Sequence, residues 1–352
     1  MPFFMYKCAY SCIIKEVGIV SEILYDRWQS PILHAIQSHK RKRMTKYIIN
    51  RLLGIIPTLL IIITLSFFIV RVAPGGPFAS ERNLPEVVKR NIEAKYHMDE
   101  PLIKQYGRYM FDIIRGDLGP SFKYKDYDVN YYISNSLPKS IVLGLCAMGL
   151  ALLFGISAGI IAAVRQNTWA DYLSMGVAVI GISVPLFVIA PVLQLIFAMK
   201  LNWLPTSGWY TTGEGYLTII LPAVSLSFAY FANIARLTRS SMLETLRSDY
   251  IRTAKAKGMK NSTIIYKHAM KGAMLPIVSY LGPAFAGIIT GSIVVEQIFR
   301  VPGLGKFFVQ SSFNRDYTLI VGVVIVYSLI LVIMNFIVDI VYAQLDPRIT
   351  YK

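Results

Sequence analysis

Six long apolar stretches constrain the fold of this chain more than any other feature of its sequence. They lie at approximately 50–70, 140–164, 172–199, 216–236, 274–297 and 318–343. A hydrocarbon layer about 30 Å thick needs about 20 helical residues, because each residue rises about 1.5 Å and every backbone polar group must be paired within the segment. The sequence therefore predicts an all-α integral membrane protein with six transmembrane helices.

Composition favours the membrane class over a soluble or nucleic-acid-binding protein. Hydrophobic residues make up 55% of the chain and charged residues 16%, and the mean hydropathy is +0.50, values that do not fit an ordinary soluble fold. The net charge of +16 is spread between apolar blocks, so we expect membrane lipid and no nucleic acid as a partner. Scattered histidines and cysteines predict no metal or other cofactor bound by this chain.

Lysine and arginine predict the orientation, because these residues are retained on the cytoplasmic side when they flank a span. The first span follows a basic flank, Lys40, Arg41, Lys42, Arg43, Lys46 and Arg51. Six crossings then place both termini in the cytoplasm, together with the basic segment 237–273. The opposite loops at 200–215 and 298–317 are poorer in basic residues. We therefore predict a multi-pass protein of the cytoplasmic (inner) membrane.

The domain organisation follows from these spans. Residues 1–43 form an N-terminal extension that we expect to be poorly ordered, and Lys15, Glu16 and Glu22 interrupt its apolar part, so it does not resemble a secretory signal. One hypothesis is that translation begins at Met44. Residues 44–70 then form the first transmembrane helix with its basic flank, 71–137 an extracytoplasmic loop, and 138–352 a five-helix core that includes the segment 237–273.

The loop 71–137 is too long for a simple connection, so it predicts a small ordered outer cap. The sequence PGGP at 74–77 stops the first span, and Pro85 opens a short helix. A second helix is expected from the N-cap Asp99, with Pro101 in its first turn and Gly116 at its end. Its apolar face would comprise Leu102, Tyr106, Tyr109, Met110 and Ile113.

Proline lies within several spans. The residues are Pro185 and Pro191 in the third, Pro222 in the fourth, and Pro276 and Pro283 in the fifth. Each removes a helix hydrogen bond and predicts a kink, which either serves a moving gate or is simply tolerated, as it is in many membrane helices.

The segment 237–273 is too polar to span the membrane, but it is patterned. Leu243, Leu246, Tyr250 and Ala254 recur at helical spacing, beside Arg247, Arg252 and Lys255. Gly258 stands where a helix end favours positive φ, and Ser262 is placed to cap a second helix carrying Ile264, Ile265 and His268 on one side. Periodicity alone leaves two interpretations open: a helix on anionic lipid, or a helix that docks into a partner protein.

Particular motifs resemble the permease subunits of ATP-binding-cassette (ABC) importers. RTAKAKG at 252–258, followed by Ile264 and by Leu275 with Pro276, is similar to the cytoplasmic loop of these permeases. FIVRVAPG at 68–75, GDLGPSF at 116–122 and VPGLG at 301–305 resemble the dipeptide/oligopeptide permease family, and IEAKYH at 92–97 and SFKYKDY at 121–127 its oligopeptide branch. The resemblance covers 44–352. Arg252 and Thr253 replace the glutamate found in most related loops, so roles assigned to that glutamate do not transfer.

The resemblance implies a type I ABC importer permease fold and a defined set of partners. These are a second homologous permease, two cytoplasmic ATPases and an external peptide-binding protein. The loop would contact an ATPase through Leu243, Leu246, Tyr250, Arg252, Thr253, Ala254, Lys255, Ala256 and Gly258. The chain lacks the motif G-x-x-x-x-G-K-[ST], and GLGK at 303–306 is too short to replace it, so this chain is not expected to be an enzyme. ATP and Mg²⁺ would be used by the partner subunits.

Two acidic residues lie near span ends. Glu296 and Asp339 are interpreted as interfacial rather than buried at mid-membrane. Asp339 and Arg236 both approach the cytoplasmic face, which suggests an ion pair between the fourth and sixth helices.

The predicted function is a translocation path for oligopeptides that opens by alternating access. Import of another solute, such as a dipeptide, a nickel complex or glutathione, remains an alternative. A secondary transporter should show ionisable groups at mid-membrane and internal repeats, and an ion channel should show a selectivity element. The sequence shows neither mid-membrane ionisable groups nor internal repeats.

Overall fold

The computed structural model describes residues 49, 51–72, 99–124, 127–209, 215–290 and 293–345. Within these ranges the regular structure is helical, apart from an isolated bridge between Pro120 and Asp128. The chain forms two units, and every contact described below lies within the larger one, Ile56–Pro347. The predictions for the extension 1–43, for the stop at 74–77 and for a helix at Pro85 fall outside the described residues.

The helices are named here in chain order. They are α1 (Arg51–Val72), α2 (Leu102–Ile114), α3 (Val129–Val164), α4 (Trp169–Ser183), α5 (Leu186–Leu193, continued by the π-helical turn Gln194–Lys200), α6 (Leu217–Leu246), α7 (Asp249–Ala256), α8 (Asn261–Thr263, the π-helical turn Ile264–Ala269 and Met270–Thr290), α9 (Ile293–Ile298), α10 (Leu304–Asn314) and α11 (Tyr317–Leu345).

The predicted number of spans agrees with these helices. Among the described residues, five helical stretches are long and apolar enough to cross a membrane, and α4 with α5 makes a sixth when the bent pair is counted as one span. The chain bends by 110° between the two halves of that pair. The bend falls at Pro185, which cannot continue a helix from α4 and instead precedes the first turn of α5. The kink predicted at this proline is therefore present.

Two helices extend well beyond the apolar stretches that predicted them. α3 begins at Val129 rather than near 140, and α6 continues to Leu246 rather than ending near 236. At about 1.5 Å per residue, the 36 residues of α3 span about 54 Å, more than the hydrocarbon layer needs. Hydropathy identifies only the apolar part of a helix, so it does not predict polar extensions at the helix ends.

α3 and α6 pack closely along a pair of glycines. Gly155 and Gly159 are four residues apart and therefore lie on one face of α3. A Cβ atom on Gly155 would lie 3.0 Å from the carbonyl oxygen of Phe231, and one on Gly159 would lie 2.7 Å from that of Ala235. Small residues at this spacing let membrane helices approach backbone to backbone. The α3–α6 pair thus forms the centre of the bundle.

The outer helix α2 differs slightly from its prediction. It begins after Pro101 with no side-chain cap, so Asp99 is not its N-cap, whereas Gly116 at φ +81° ends it as expected. α2 packs against α1, where the hydroxyl groups of Tyr106 and Thr64 lie 2.7 Å apart. The ring centroid of Phe67 lies 5.4 Å from that of Tyr106. The predicted cap thus contains a helix that rests on the first span.

The connection at 298–317 contains a helix that hydropathy did not predict. α10 occupies residues Leu304–Asn314 and has Leu304, Gly305 and Ser311 buried. It lies between α9 and α11 in the chain, so the two last spans are joined by a folded hairpin rather than by a plain loop.

Candidate coupling site

The segment predicted to contact an ATPase is divided by a break after α6. α6 ends at Leu246, and Ser248 has an extended conformation with ψ of 154° before α7 begins at Asp249. The Ser248 hydroxyl donates to the carbonyl oxygen of Thr245 at 2.6 Å rather than capping α7. Leu243 and Leu246 therefore belong to the long helix, and the single apolar stripe predicted to run from them to Ala254 is wrong.

Apolar packing holds α7 against the rest of the helical bundle. Ile251 is fully buried and Ala254 nearly so. These two side chains belong to a group that we call the anchor cluster, which comprises Ile160, Ala163, Met242, Ile251, Ala254, Ile264, Ala269 and Ala273. Leu243 and Leu246 pack against this cluster from α6. The predicted contact residues Leu243, Leu246 and Ala254 thus pack against this chain's own helical bundle.

The remaining predicted contact residues form an exposed surface. Tyr250, Arg252, Thr253, Lys255, Ala256 and Gly258 are all exposed, and Tyr250 is exposed despite its assignment to the apolar stripe. Arg252 and Asp249 approach to 3.4 Å, but both side chains are largely solvated. Such a pair contributes little to stability. The charges of α7 are therefore available to a partner.

A glycine turn joins α7 to α8. Gly258 has φ of +72°, a conformation that side chains other than glycine rarely adopt, so the predicted turn is confirmed. α8 then begins at Asn261 after Lys260, which places Ser262 inside the first turn rather than at the N-cap. Ile264 is buried in the anchor cluster and starts a π-helical turn. We call the end of the bundle that carries 246–264 the coupling end.

Two arginines of α6 near the coupling end differ in their partners. Arg239 donates two hydrogen bonds to the Asp171 carboxylate, both at 2.7 Å, and the Asp171 side chain is 3% exposed. Arg236 is exposed and lines an open cleft. The ion pair proposed between Arg236 and Asp339 stays a prediction. The pair of Arg239 with Asp171 was missed, because its members lie 68 residues apart.

The opposite end of the bundle, which carries 116–122 and 301–305, is named here the hairpin end. Glu296 is 1% exposed there, so its interpretation as an interfacial residue is wrong. Its carboxyl oxygens accept hydrogen bonds from the Ser140 hydroxyl at 2.7 Å and the Gly305 N–H at 2.9 Å. Ser140 in turn accepts from the Leu304 N–H at 2.8 Å. Together they satisfy the first N–H groups of α10, which have no partner within that helix.

These contacts give a physical reason for the glycines of the sequence VPGLG. A Cβ atom on Gly303 would collide with the carboxyl carbon of Glu296, and one on Gly305 would lie 2.8 Å from a carboxyl oxygen of the same residue. Only glycine lets the backbone approach the buried acid this closely.

Asp316 forms a second buried polar cluster at the hairpin end. It is fully buried and accepts hydrogen bonds from the Ser121 hydroxyl, from the Phe122 N–H at 3.2 Å and from the Leu319 N–H at 3.2 Å. The last of these makes Asp316 the N-cap of α11. Asp316 therefore ties the sequence GDLGPSF at 116–122 to the last span. Partial burial of the nearby Tyr124 hydroxyl raises its pKa, and the negative charge of Asp316 raises this pKa further.

Comparison with known families agrees with this architecture. The family described as binding-protein-dependent transport system inner membrane component matches residues 155–351, and its N-terminal companion matches residues 44–143. The fold also resembles that of a chain in an inward-facing structure of the MetNI methionine ABC transporter. That likeness has a TM-score of 0.52 over 61% of this chain and 97% of the other, at 14% sequence identity.

Individual relatives are more similar in sequence. The oligopeptide transport system permease protein OppB of Haemophilus influenzae is 52% identical over 308 residues, which is 88% of this chain and all of OppB. The dipeptide transport system permease protein DppB of Bacillus subtilis is 46% identical over 87% of this chain and 98% of its own length. The glutathione transport system permease protein GsiC of Pectobacterium atrosepticum is 39% identical over 88% of this chain and all of its own length.

The family matches and the relatives therefore agree with the bundle seen here, and the chain belongs to the inner-membrane permeases of binding-protein-dependent ABC importers, in their dipeptide/oligopeptide branch.

Proposed function

We propose that this chain forms, with a second homologous permease, the path by which oligopeptides enter the cell. The identity of 52% to an oligopeptide permease exceeds the 46% and 39% found for the dipeptide and glutathione permeases named above. The order of these values supports an oligopeptide rather than a dipeptide or glutathione as the substrate. An external binding protein would deliver the peptide to the hairpin end.

The observation that carries the coupling mechanism is the two-sided character of α7. One side is buried in the anchor cluster, and the other presents Tyr250, Arg252 and Lys255 to solvent. A helix seated in this way transmits a push or pull to α6 and α8, because the anchor cluster joins all three helices. ATP binding and hydrolysis in two partner ATPases would supply that movement. This chain itself would remain a non-enzymatic subunit.

This mechanism also predicts which side of the membrane each end of the bundle faces. The coupling end would face the cytoplasm, where the ATPases and ATP are found, and the basic residues of 237–273 support that orientation. Both termini would then be cytoplasmic. Alternating access requires that ATP and the loaded binding protein favour different states of the permease, since a ligand that binds both states equally shifts neither.

The assembly is tested by purification of the chain in mild detergent. We expect two ATPase subunits and a second permease of similar size to be recovered with it, together with ATPase activity. Uptake of a pentapeptide, a dipeptide and glutathione by vesicles containing the assembly then ranks the substrates. Recovery of the chain alone, without ATPase activity, would contradict the proposed partners, and preferred uptake of glutathione would contradict the proposed substrate.

The coupling role is tested at the glycine turn. Gly258→Val introduces a β-branched side chain at φ of +72°, which disfavours the turn between α7 and α8. Gly258→Asn is the matched control, because asparagine tolerates this region better. No atom lies within 4 Å of the added Cβ position, so backbone strain rather than a clash separates the two variants.

We expect Gly258→Val to insert into the membrane normally but to lose peptide uptake and ATPase recovery, while Gly258→Asn retains most of both. Equal uptake by both variants and the unmodified chain would refute the proposed role of the turn.

A further inference from the structure

A polar cleft near the coupling end is not explained by the coupling mechanism. It has a volume of about 540 Å³ and is lined from three helices: by Met175 of α4, by a stretch of α6 that includes Asn233 and Arg236, and by Tyr280 of α8. Sites for small ligands in proteins have volumes of about 300–1,000 Å³. The cleft is therefore large enough to hold part of a passing solute.

The cleft contains one arginine with a partner and one without. Arg239 forms an ion pair with the nearly buried Asp171 carboxylate, so these two charges compensate each other. Arg236 lies one turn earlier on α6, and the structure gives its guanidinium no hydrogen bond or ion pair among the described residues. Among the residues that the structure describes, Arg236 is thus the cationic lining residue of the cleft without an ion pair.

An exposed arginine in a cleft attracts anions, and ionisable residues on membrane-spanning helices often line the path of a ligand. The other polar groups of the cleft are uncharged. Asn233, Ser240 and Tyr280 contribute an amide and two hydroxyl groups to its lining, and Ser240 is exposed. These groups are suited to amides, whereas Arg236 is suited to a carboxylate.

Peptides of different sequence share only their backbone amides and their two termini. A path that accepts many sequences must therefore contact these common groups rather than particular side chains. We propose that the cleft is a transit site for the peptide and that Arg236 binds its C-terminal carboxylate on the way through. This inference rests on the proposed function as a peptide permease. Because the cleft is open, binding is weak enough for the peptide to leave.

The first test measures uptake by the complete importer in vesicles. One tetrapeptide is used in two forms, with a free C-terminal carboxylate and as its C-terminal amide. Arg236→Gln should lower uptake of the free acid by about fivefold relative to the amide, the size expected for a partly solvated charged hydrogen bond. Arg236→Lys should retain most of the preference. Arg165→Gln is the matched control, since it removes an exposed charge at the end of α3 and outside the cleft.

Three results would overturn the inference. Equal losses for the acid and the amide would show that Arg236 supports structure or coupling, and no loss for either would show that it is not on the path. A loss that affects both forms and disappears in vesicles without anionic lipid would assign Arg236 to a lipid headgroup. If the unmodified importer takes up neither peptide with ATP present, the proposed function fails instead.

A second test measures occupancy of the cleft rather than uptake. Ser240→Cys is introduced into the complete importer, with Cys8, Cys12 and Cys146 replaced by serine, and its alkylation rate is measured. The free-acid tetrapeptide should slow alkylation more than the amide does, and Arg236→Gln should abolish the difference. Identical rates with the acid and the amide would refute the transit site.

Discussion

At the hairpin end, two buried carboxyl groups accept hydrogen bonds from neighbouring helices and from the loop at 116–122, whereas at the coupling end the short helix α7 packs on apolar side chains and exposes its charges. Glu296 and Asp316 each accept from groups far away in sequence. Ile251 and Ala254 make only apolar contacts in the anchor cluster. Hydrogen bonds to a buried acceptor fix direction as well as distance, while apolar packing tolerates small shifts.

The difference suits the tasks proposed for the two ends. A hairpin fixed by directional bonds keeps its shape when the helices beneath it move. A helix held by non-directional packing can rock with a partner while it stays attached. Each of the following predictions separates the two kinds of attachment, beginning with the largest expected effect.

Removal of the Glu296 carboxyl group should cause the largest loss. Glu296→Ala leaves the Ser140 hydroxyl and the Gly305 N–H buried without their acceptor, at a cost of about 4 kcal/mol for two unpaired groups. Thermal unfolding in detergent measures the loss. Glu244→Ala is the control, because Glu244 is exposed on α6 and its removal should change stability by less than about 0.5 kcal/mol. Equal melting temperatures for the two variants would contradict the cluster.

Truncation at the coupling end should loosen α7 without unfolding the bundle. Ile251→Ala removes a fully buried side chain and should cost about 3 kcal/mol. The loss should be local, so hydrogen exchange at 249–258 should accelerate while the spans keep their protection. Tyr250→Ala, which alters the exposed face, should leave exchange unchanged and instead weaken recovery of the ATPase. Faster exchange in the spans of Ile251→Ala would show that α7 is not an independent attachment.

The contrast between the two ends also shows what the sequence could reveal. Hydropathy located the spans, and Gly258 predicted the turn, because both signals are local to the chain. The break before α7 had a local signal as well, since Ser248 followed by Asp249 is typical of a helix N-terminus. The helical spacing of Leu243, Leu246 and Tyr250 continues across this break, so the sequence pattern predicted one uninterrupted stripe.

The hairpin end was harder to predict because its contacts join distant positions. Glu296 stands at the end of an apolar run, so it resembled an interfacial residue, yet its partner Ser140 lies 156 residues earlier. Ser121 and Asp316 are separated by 195 residues. The motifs GDLGPSF and VPGLG indicated a family. The structure explains their serine and glycine residues, because it places Asp316 and Glu296 beside them.

Substitution of Asp316 tests whether the second buried acid acts as the first does. Asp316→Asn keeps the volume but turns an amide N–H₂ toward one of the donors Ser121, Phe122 or Leu319. The expected cost is about 2 kcal/mol, the price of one unsatisfied buried donor. Asp117→Asn is the control, because Asp117 is exposed and accepts a single bond within its own turn. Similar thermal stability of the two variants would show that Asp316 does not hold the loop.

The smallest effect is expected at a tyrosine pair where α2 rests on α1. The Tyr109 hydroxyl is buried without a partner among the described residues, whereas Tyr106 lies 2.7 Å from the Thr64 hydroxyl. Tyr109→Phe should therefore be neutral or stabilising by up to about 1 kcal/mol, and Tyr106→Phe should cost about 1 kcal/mol. Thermal unfolding at neutral pH measures both variants, and a clear loss for Tyr109→Phe would reveal a hidden partner.

The same pair predicts a dependence on alkaline pH. Burial raises the pKa of Tyr109, and the nearby positive charge of Arg71 opposes that rise only in part. The pKa of Tyr109 in the folded state therefore lies above its value of about 10 in the unfolded state. Below about pH 10 this difference contributes fully to stability, and the contribution is lost as the pH rises toward the folded-state pKa. The unmodified chain should therefore lose more stability than Tyr109→Phe between neutral pH and about pH 11. If the stability of both proteins changed with pH in the same way, water would reach the Tyr109 hydroxyl. The attachment of α2 to α1 would then be looser than the attachment of the hairpin through Glu296.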